Sequence, residues 1–517
     1  MRSLLADHLL QRLQQQNEGA LYTRVFRCLR DSIIDEVLPL KTRLPASRDL
    51  AKELNVSRNT ILNAYEQLRA QGYVEAITGS GTWVVETLPE NYLNVPSSDQ
   101  PINNDQFFDL KVLSKRGSDF FEHAAASPNQ WGAFVPGVPD VTEFPHAELS
   151  KILNRLNRQP QVPNLIYTSD AGCTELKQAL AAYLRVARSV HCDVDQIFIT
   201  DGIHQAVDFI SRVLCDVGDH VWVENPGYWG ARNIMRMNGL AIHPMSVDHE
   251  GIIPDPNAPL PKLIFVTPSH QYPLGSHLSL ARRRQLLELA RIHQSWIIED
   301  DYDSEFRFEG QPFPSLQGLE ENTPVIYMGT FSKTIYPALR LGYMVVPKRL
   351  VASLKTISAE LYRGGHLLMQ RAIAEFIQEG HYAAHIRRMR LLYAKRRAFL
   401  IELIERYLGQ DFVHQYSRQA GLHLVLKLPD HADDVAIAAL ALLRGVKVRP
   451  LSKYYTEPYH QISRGLLLGF ACVSEKDMLI AFSVLRQCLN EHEIYPKKGD
   501  ELKQTTVHHP MEQQLNL

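Results

Sequence analysis

The chain has 517 residues, of which 45% are hydrophobic and 22% are charged, and its formal net charge is −2. A chain of this length exceeds what one hydrophobic core usually serves, so we expect roughly two to four domains. The small net charge excludes a globally basic nucleic-acid binder, so any DNA contact has to depend on local positive charge.

The first unit, residues 19–87, has the pattern of two short helices joined by a tight turn. Ser47 can cap a helix that continues to Leu54, because a serine hydroxyl at this position accepts a bond from an unpaired helical N–H group. After the turn, Ser57 can cap a second helix over residues 58–71. The second helix has one apolar and one polar face, as a helix packed on one side requires.

Polar residues at the start of the second helix favour DNA reading. Arg and Asn side chains can make paired hydrogen bonds to base edges in the major groove, and a helix N-terminus attracts phosphate. The residues that open this helix are Arg58, Asn59 and Thr60. The segment 73–85 then predicts a β-hairpin, or wing, whose turn contains Gly79 and Gly81.

A helix pair alone does not establish DNA binding, since such pairs also occur in proteins that bind no DNA. More specific are the runs Leu44-Pro45-x-Ser47-Arg48-x-Leu50-Ala51, Val56-Ser57-Arg58-x-Thr60 and Gly79-x-Gly81-Thr82-x-Val84. Over residues 21–85 this pattern resembles the GntR-type winged helix–turn–helix, apart from Ala46, where the family has serine. The resemblance places the wing in or near the minor groove and implies DNA contacts from Ser47, Arg48, Ser57, Arg58, Asn59 and Thr60.

The rest of the chain indicates a linker followed by an α/β domain. Residues 88–128 are predicted as the linker, because their first part is rich in Pro, Asn, Asp and Ser. From residue 129 to 490, apolar segments alternate with amphipathic ones, which is typical of α/β proteins. The polar tail, 491–517, is predicted to be disordered. The predicted strands lie at 196–200, 220–223, 263–266, 296–298 and 325–328.

Lys333 follows the last predicted strand, within Gly329-Thr330-Phe331-Ser332-Lys333-Thr334. A lysine beside small hydroxyl residues suits an aldehyde cofactor such as pyridoxal phosphate, because its amine can form a Schiff base. That cofactor also needs a carboxylate opposite its pyridine nitrogen. Asp300, at the end of an apolar strand, is predicted for this role, and Tyr302 for the ring hydroxyl.

The phosphate and the ring face also have candidates. Gly202 permits close backbone approach, and the N–H groups of Ile203 and His204 open a helix. Tyr228 can stack on the ring. The phosphate cup is completed by Thr330, Ser332 and Arg340. Each assignment alone is weak, since a strand-end Asp is commonly a helix cap and a glycine commonly a turn residue. The prediction depends on the order and spacing of the set.

The segments 267–275, 299–306, 330–333 and 339–343 resemble those of fold-type I aminotransferases, over most of the chain beyond residue 130. Together with the preceding DNA-binding pattern, the chain resembles the MocR subfamily of GntR-type regulators. This implies a winged helix–turn–helix plus a C-terminal fold-type I aminotransferase-like domain, with a large α/β domain and a smaller α+β subdomain. It also implies a head-to-tail homodimer.

Three positions depart from the family pattern. Tyr272 stands where active aminotransferases usually have Asn, and Leu467 where they usually have the arginine that holds a substrate carboxylate. Arg449 and Arg464 are nearby in sequence, but the sequence does not assign either of them to that role. Gly230 occupies the place of an extra arginine in members that sense γ-aminobutyrate, which makes that effector a less safe prediction.

Cysteine usage and hydropathy indicate a cytoplasmic protein without membrane contact. The six cysteines form no C-x-x-C pair and no Cys/His cluster with zinc-like spacing, so buried thiols are favoured and no metal is expected. Asp7 interrupts the first apolar run, which makes a poor signal peptide. The longest apolar run, 435–443, is too short to span a bilayer.

We therefore predict a transcriptional regulator that binds paired half-sites in double-stranded DNA and uses pyridoxal phosphate. Its effector would be an amine, an amino acid or pyridoxal phosphate itself. The alternative is an active aminotransferase with an appended DNA-binding domain, and a residual transaminase half-reaction is compatible with either. A third hypothesis is a cofactor-storage or interaction protein, which would retain the cofactor but have no affinity for DNA.

Overall fold

The computed structural model describes residues 4–15, 19–35, 37–77, 80–85, 112–124, 131–310, 314–414, 420–456 and 462–494. By internal contacts the chain divides into two units, Met1–Asp109 and Leu110–Leu517, and each is described by itself. Gly79, most of the predicted linker and residues 495–517 of the predicted tail lie outside the described residues.

The first unit packs short helices against a two-stranded hairpin. Its elements are α1 Leu4–Gln15, α2 Leu21–Ile34, α3 Ser47–Leu54, α4 Arg58–Ala70, β1 Val74–Ile77 and β2 Gly81–Val84. On α4, Ile61, Ala64, Tyr65 and Leu68 are all buried, which makes the apolar face expected from their helical spacing. The antiparallel hairpin pairs Val74 with Val84 and is the predicted wing.

Helix α1 extends this core beyond the unit predicted from sequence, which began at residue 19. Ala6, Leu9 and Leu13 recur at spacings of three and four residues, and their exposed fractions are 0%, 1% and 7%. They join one hydrophobic cluster with residues of α2, α3 and α4. The helix therefore contributes to the core of the DNA-binding unit.

The two predicted serine caps differ in the structure. Ser57 is the N-cap of α4, where its hydroxyl accepts a hydrogen bond from the Thr60 N–H, as predicted. The Ser47 prediction is wrong, because Ala46 is the N-cap residue of α3 and no side chain caps that helix. Ser47 is already helical, and its hydroxyl instead accepts a 3.4 Å bond from Arg58 Nε.

The second unit is built on an eight-stranded sheet. Its strand order is β3-β10-β9-β8-β7-β4-β5-β6. Five strands, β5, β4, β7, β8 and β9, are parallel, whereas β10 runs antiparallel to both of its neighbours. The strands are β3 Ile197–Thr200, β4 His220–Asn225, β5 Ala241–Asp248, β6 Gly251–Ile252, β7 Leu263–Val266, β8 Trp296–Asp301, β9 Val325–Thr330 and β10 Gly342–Val345.

Helices cover both faces of this sheet, because alternate side chains of each strand point to opposite faces. Val221 packs in one hydrophobic cluster and Trp222 in another, and Ile298 and Ile297 alternate in the same way. The helices up to the smaller domain are α5 Lys115–Glu122, α6 His146–Arg158, α7 Thr174–Arg188, α8 Ile203–Leu214, α9 Trp229–Met237, α10 Leu280–Ile292, α11 Val351–Tyr362, α12 Leu367–Gln378 and α13 His381–Tyr407.

Helix α5 lies inside the segment predicted as linker. Asn233 of α9 donates a 2.7 Å hydrogen bond to the carbonyl of His123, which follows α5. Residues 115–122 of the predicted linker are therefore helical and belong to the second unit. The Pro- and Asn-rich composition of the preceding residues obscures this helix in the sequence.

The C-terminal part forms a smaller antiparallel sheet with order β11-β13-β12. Its elements are β11 His423–Lys427, α14 Asp434–Leu443, β12 Arg449–Pro450, β13 Gly465–Gly469 and α15 Glu475–Glu491. Arg449 of β12 is the register partner of Leu467 on the central strand β13. Across the described parts of the chain, no helix combines the length and apolar character that crossing a membrane requires.

Candidate functional site

Lys333 lies three residues beyond the end of β9, in a partly buried position. Its Nζ donates a 2.7 Å hydrogen bond to the carbonyl of Gly137. A Cβ atom on Gly137 would lie 3.2 Å from that Nζ, so the glycine leaves room for the amine. Burial lowers the pKa of Lys333, while Asp303 and Asp300 act in the opposite direction. An amine with a lowered pKa is a better nucleophile at neutral pH.

The acidic cluster at the end of β8 separates into three roles. Glu299 accepts hydrogen bonds from the backbone N–H groups of Leu316 and Gln317. Asp301 forms a buried ion pair with Arg188, with Nε 2.6 Å from Oδ2. Asp300 differs from both, because its buried Oδ1 has no hydrogen-bond partner. Of the three, Asp300 alone lines the cavity that contains Lys333.

The pKa values of these carboxyl groups diverge accordingly. Burial raises the pKa of Asp300 to about 8, with a further contribution from the neighbouring Asp301 charge. Burial would also raise the pKa of Asp301, but the Arg188 guanidinium holds it below its ordinary value. Asp300 is therefore a carboxyl group that can hold or release a proton near neutral pH at the cavity wall.

Beside Asp300 and Lys333, helix α8 presents its N-terminus to the cavity. Gly202, with φ +88°, precedes the helix, and Ile203 and His204 line the cavity. Arg340 Nη2 donates a 2.7 Å hydrogen bond to the carbonyl of Asp201. A Cβ atom on Gly202 would come within 3.3 Å of Arg340, so the glycine permits this close approach. A helix N-terminus beside an arginine is suited to phosphate.

Thr330 and Ser332 complete this side of the cavity. The Thr330 hydroxyl accepts a 3.1 Å hydrogen bond from the Ser332 N–H, which fixes the turn between β9 and Lys333. Both side chains line the cavity together with Arg340.

Aromatic side chains form much of the remaining wall. The Tyr228 hydroxyl and His204 Nε2 are 2.7 Å apart. Tyr272 packs edge-to-face on Tyr228 and on Tyr302, with ring centroids 5.8 Å apart in each case. The Tyr302 hydroxyl lies 3.0 Å from Nδ1 of His270. These contacts hold the rings in fixed positions around the cavity.

Gly230 is required by this aromatic arrangement. A Cβ atom there would lie 2.5 Å from Cζ of Tyr228 and 2.8 Å from Nε2 of His204, both closer than real contacts allow. Since any side chain would displace the Tyr228–His204 pair, the extra arginine of γ-aminobutyrate sensors cannot occupy this position without rearrangement.

Nine of the ten residues predicted for the cofactor line one cavity, and the tenth, Gly202, adjoins Arg340. Other lining residues, among them Gly137 and Trp229, were not predicted from the sequence. Both signals were weak, because a Pro-Gly turn and a single tryptophan are common in loops. The cavity also contains Arg449, which the sequence could not place. Arg464 is not in the lining and lies 3.4 Å from the buried Asp434 carboxylate.

These residues fit pyridoxal phosphate. The unpartnered Asp300 oxygen offers an acceptor for a pyridine nitrogen, and the Gly202–Arg340 approach leaves a cradle that a side chain would fill. Lys333 supplies an amine in the same cavity. The donor set therefore matches three of the demands of the cofactor: an amine, a carboxylate and a phosphate site.

The first unit presents a polar surface at the start of α4. Arg58 and Asn59 are exposed there, as is Arg48 on α3. Thr60 is partly buried, and its hydroxyl lies 2.8 Å from the Ser57 hydroxyl. At the turn end of the wing, a Cβ atom on Gly81 would lie 3.0 Å from Arg43 Nε, so an arginine not predicted from sequence adjoins the hairpin.

Comparison with known families separates the same two units. Residues 21–84 match the model of bacterial regulatory proteins of the gntR family. Residues 141–485 match that of the aminotransferase class I and II family. A solved kynurenine aminotransferase from Pyrococcus horikoshii is 24% identical, with a TM-score of 0.66, and the match covers 74% of this chain and 98% of that one. This likeness establishes the fold of the second unit.

Three regulators are similar over nearly the whole chain. The probable rhizopine catabolism regulatory protein MocR of Rhizobium meliloti is 38% identical, over 92% of this chain and 94% of its own length. An HTH-type regulator of Bacillus subtilis, YdeL, is 35% identical over 89% and 94%. The pyridoxine biosynthesis regulator PdxR of Corynebacterium glutamicum is 28% identical over 90% and 94%. The chain therefore belongs to the MocR subfamily of GntR-type regulators, in which a winged helix–turn–helix is fused to a fold-type I aminotransferase-like domain.

Proposed function

We propose that this protein is a pyridoxal-phosphate-dependent transcriptional regulator that senses a primary amine, an amino acid or the cofactor itself. The supporting observation is that one chain combines a cavity containing Lys333 and Asp300 with a winged helix–turn–helix. Such a regulator has to act where the DNA is, so we propose a cytoplasmic location.

In this proposal different residues of the cavity bind different parts of the cofactor. Asp300 would face the pyridine nitrogen and Lys333 the aldehyde carbon, while Arg340 and the N-terminus of α8 would hold the phosphate. Tyr228 would pack on the ring and Tyr302 would reach its hydroxyl. When bound, pyridoxal phosphate supplies an aldehyde that condenses reversibly with primary amines. An incoming amine would therefore compete with Lys333 for one carbon atom.

The DNA-binding role is assigned to the exposed start of α4 and its surroundings. Arg58 and Asn59 would contact base edges, Arg48 and Ser57 the phosphate backbone, and the wing at Gly79 and Gly81 the minor groove. A single small reading surface gives little affinity, so we propose a homodimer, arranged head-to-tail, that binds paired half-sites.

Effector binding can be transmitted through the smaller sheet of the second unit. The segment after β12 is tied to the large domain, because Arg232 donates to the carbonyl of Tyr454 and to the Thr456 hydroxyl. Asn225 Oδ1 also accepts a 2.9 Å bond from the Thr456 N–H. These few polar bonds can be exchanged when the cavity is filled. The protein would then have two arrangements, one with these bonds intact and one with them exchanged. An effector that favours one of these arrangements would shift the population of DNA-binding dimers.

The direct test measures binding to the DNA upstream of the protein's own gene, by fluorescence anisotropy with and without pyridoxal phosphate. We expect binding in at least one state and a change in Kd between states. Absence of DNA binding in every state would refute the regulator. Turnover is measured in parallel on a panel of amino donors, and sustained keto-acid production would support the aminotransferase alternative instead.

A further inference from the structure

Arg449 lies in the cofactor cavity but belongs to a different structural element from the other cationic residues there. It starts β12 of the smaller sheet, whereas Lys333 and Arg340 follow β9 of the large sheet. Its guanidinium lies over the ring of Trp229, with Cζ 5.9 Å from the ring centroid. The cofactor assignments use Lys333 and Arg340 but not Arg449, whose side chain also hydrogen-bonds Tyr454.

The register of the smaller sheet explains why the sequence did not place this arginine. Arg449 and Leu467 are cross-strand partners on antiparallel strands, and paired residues project to the same face of a sheet. Leu467 carries no charge, but Arg449 on the neighbouring strand places a cation on the same face of the sheet. The two positions are distant in sequence, and only the pairing brings them together.

The chain after Arg449 is held in place, which gives the guanidinium a defined position. Asp434, fully buried, accepts hydrogen bonds from the Ser452 N–H and hydroxyl, at 2.9 and 2.7 Å. The Tyr454 hydroxyl lies 2.9 Å from that of Tyr272, which lines the cavity. Interactions that fix a charged group before binding reduce the entropic cost of recognising a ligand.

The two other arginines of this region have different roles. Arg464 lies beside Asp434 and does not line the cavity. Arg232 is 9% exposed and donates from Nη1 to the segment 454–456. Arg449 is therefore the arginine of this region whose position suits contact with a ligand beside Lys333.

We propose that Arg449 binds an anionic group of the effector, so that the effector is a primary amine that also carries a carboxylate or a chemically similar anion. The amine is directed to Lys333 and its cofactor, and the anion to Arg449. This assignment rests on the proposed sensing function and specifies its ligand class. Arginine suits the role because its planar fork binds a carboxylate through two parallel hydrogen bonds.

The experiment compares amines in pairs that differ only by a carboxylate: glycine with methylamine, 3-aminopropanoate with ethylamine, and 4-aminobutanoate with propylamine. Each is titrated into the full-length protein loaded with pyridoxal phosphate, and the visible spectrum reports occupancy. In the parent protein, at least one carboxylate should bind about tenfold or more tightly than its partner, as expected for a charge-assisted bond. The sulfonate 2-aminoethanesulfonate then tests whether the anion has to be a carboxylate.

Arg449→Gln should abolish this advantage, so that each carboxylate binds no more tightly than its plain-amine partner. Arg449→Lys, which keeps the charge but loses the fork, should retain part of it. Arg444→Gln is the matched control and should behave like the parent, because Arg444 pairs with Glu491 in the same smaller domain and does not line the cavity. An unchanged cofactor spectrum shows that each variant is folded and loaded.

Two results would overturn the assignment: an equal advantage in Arg449→Gln, or no advantage for any carboxylate in the parent protein while the plain amines bind. A different result identifies failure of amine sensing itself. If no amine of either kind changes the spectrum of the loaded protein, amine sensing and the Arg449 assignment both fail, and pyridoxal phosphate itself is left as the sensed ligand. If the sulfonate alone shows the advantage, Arg449 retains its role and the effector is a sulfonate.

Discussion

The alternation of side chains along β8 determines which of its acidic residues lines the cavity. Asp300 and Asp301 are adjacent, so they point to opposite faces of the sheet. Asp301 forms an ion pair with the buried Arg188, whereas Asp300 has a carboxylate oxygen without a hydrogen-bond partner. Burying a carboxylate without a partner costs stability, and such a cost is typically found at a functional site. Asp300 is therefore the position where cofactor-free protein should be easiest to stabilise.

Asp300→Asn should stabilise the cofactor-free protein in a pH-dependent manner. The pKa of this carboxyl is about 8 in the folded protein, against an ordinary value of 3.8, so the native state holds a proton that the unfolded chain releases. The free energy of unfolding therefore falls as the pH rises from about 4 to about 8. The gain in Tm from the substitution should be larger at about pH 8.5 than at about pH 5, as measured by calorimetry.

The same variant should bind pyridoxal phosphate more weakly, because an amide cannot neutralise the protonated pyridine nitrogen. Asp301→Asn provides the contrast. It leaves the buried Arg188 without its carboxylate, so it should destabilise the protein by about 3–5 kcal/mol. A Tm gain for Asp300→Asn that did not grow with pH would contradict the raised pKa.

Gly230→Ala tests the tight packing of the aromatic wall. The added methyl group would lie 2.5 Å from Tyr228 Cζ, so the Tyr228–His204 pair has to shift. We expect a loss of about 1–3 kcal/mol in unfolding free energy and weaker binding of pyridoxal phosphate. Gly365→Ala is the control, because nothing lies within 4 Å of a Cβ atom at that position. Equal effects of the two substitutions would show that the wall tolerates displacement.

At the scale of elements, the α4 N-cap can be tested separately from DNA contacts. Ser57→Ala removes the hydroxyl that accepts the Thr60 N–H, and should lower the stability of α4 by about 1 kcal/mol. Faster amide hydrogen exchange along α4 is the measurement. Ser47→Ala is the matched control, since Ser47 caps no helix and its loss should leave exchange in α3 nearly unchanged. The reverse order of effects would contradict the cap assignment.

Local patterns predicted many elements, but not their pairing. The strands at 263–266 and 325–328 are confirmed within β7 and β9, because runs of buried apolar residues are a local signal. The cap at Ser57 was equally local. In contrast, the separation of Asp300 from Asp301 depends on which face meets Arg188, and the position of Arg449 depends on register with Leu467. Such contacts join residues far apart in the chain, so no local pattern contains them.

At the scale of the whole molecule, the proposed regulator requires that ligand binding in the second unit is energetically coupled to DNA binding by the first. A ligand changes DNA affinity only if it binds one arrangement of the protein better than another, and coupling of this kind typically changes affinity by about 5- to 150-fold. Lys333 is the residue through which cofactor occupancy would enter this equilibrium. Its Nζ donates a 2.7 Å hydrogen bond to the carbonyl of Gly137.

Lys333→Ala should therefore separate DNA binding from ligand response. The substitution lies in the second unit, so the affinity of cofactor-free protein for its DNA should be unchanged. Pyridoxal phosphate and amines should no longer shift that affinity, as measured by fluorescence anisotropy at fixed salt concentration. Arg58→Ala should show the converse, with weaker DNA binding and an unaltered cofactor spectrum. A Lys333→Ala protein that kept the full response would mean that occupancy of the cavity alone, without the lysine, drives the change in DNA binding.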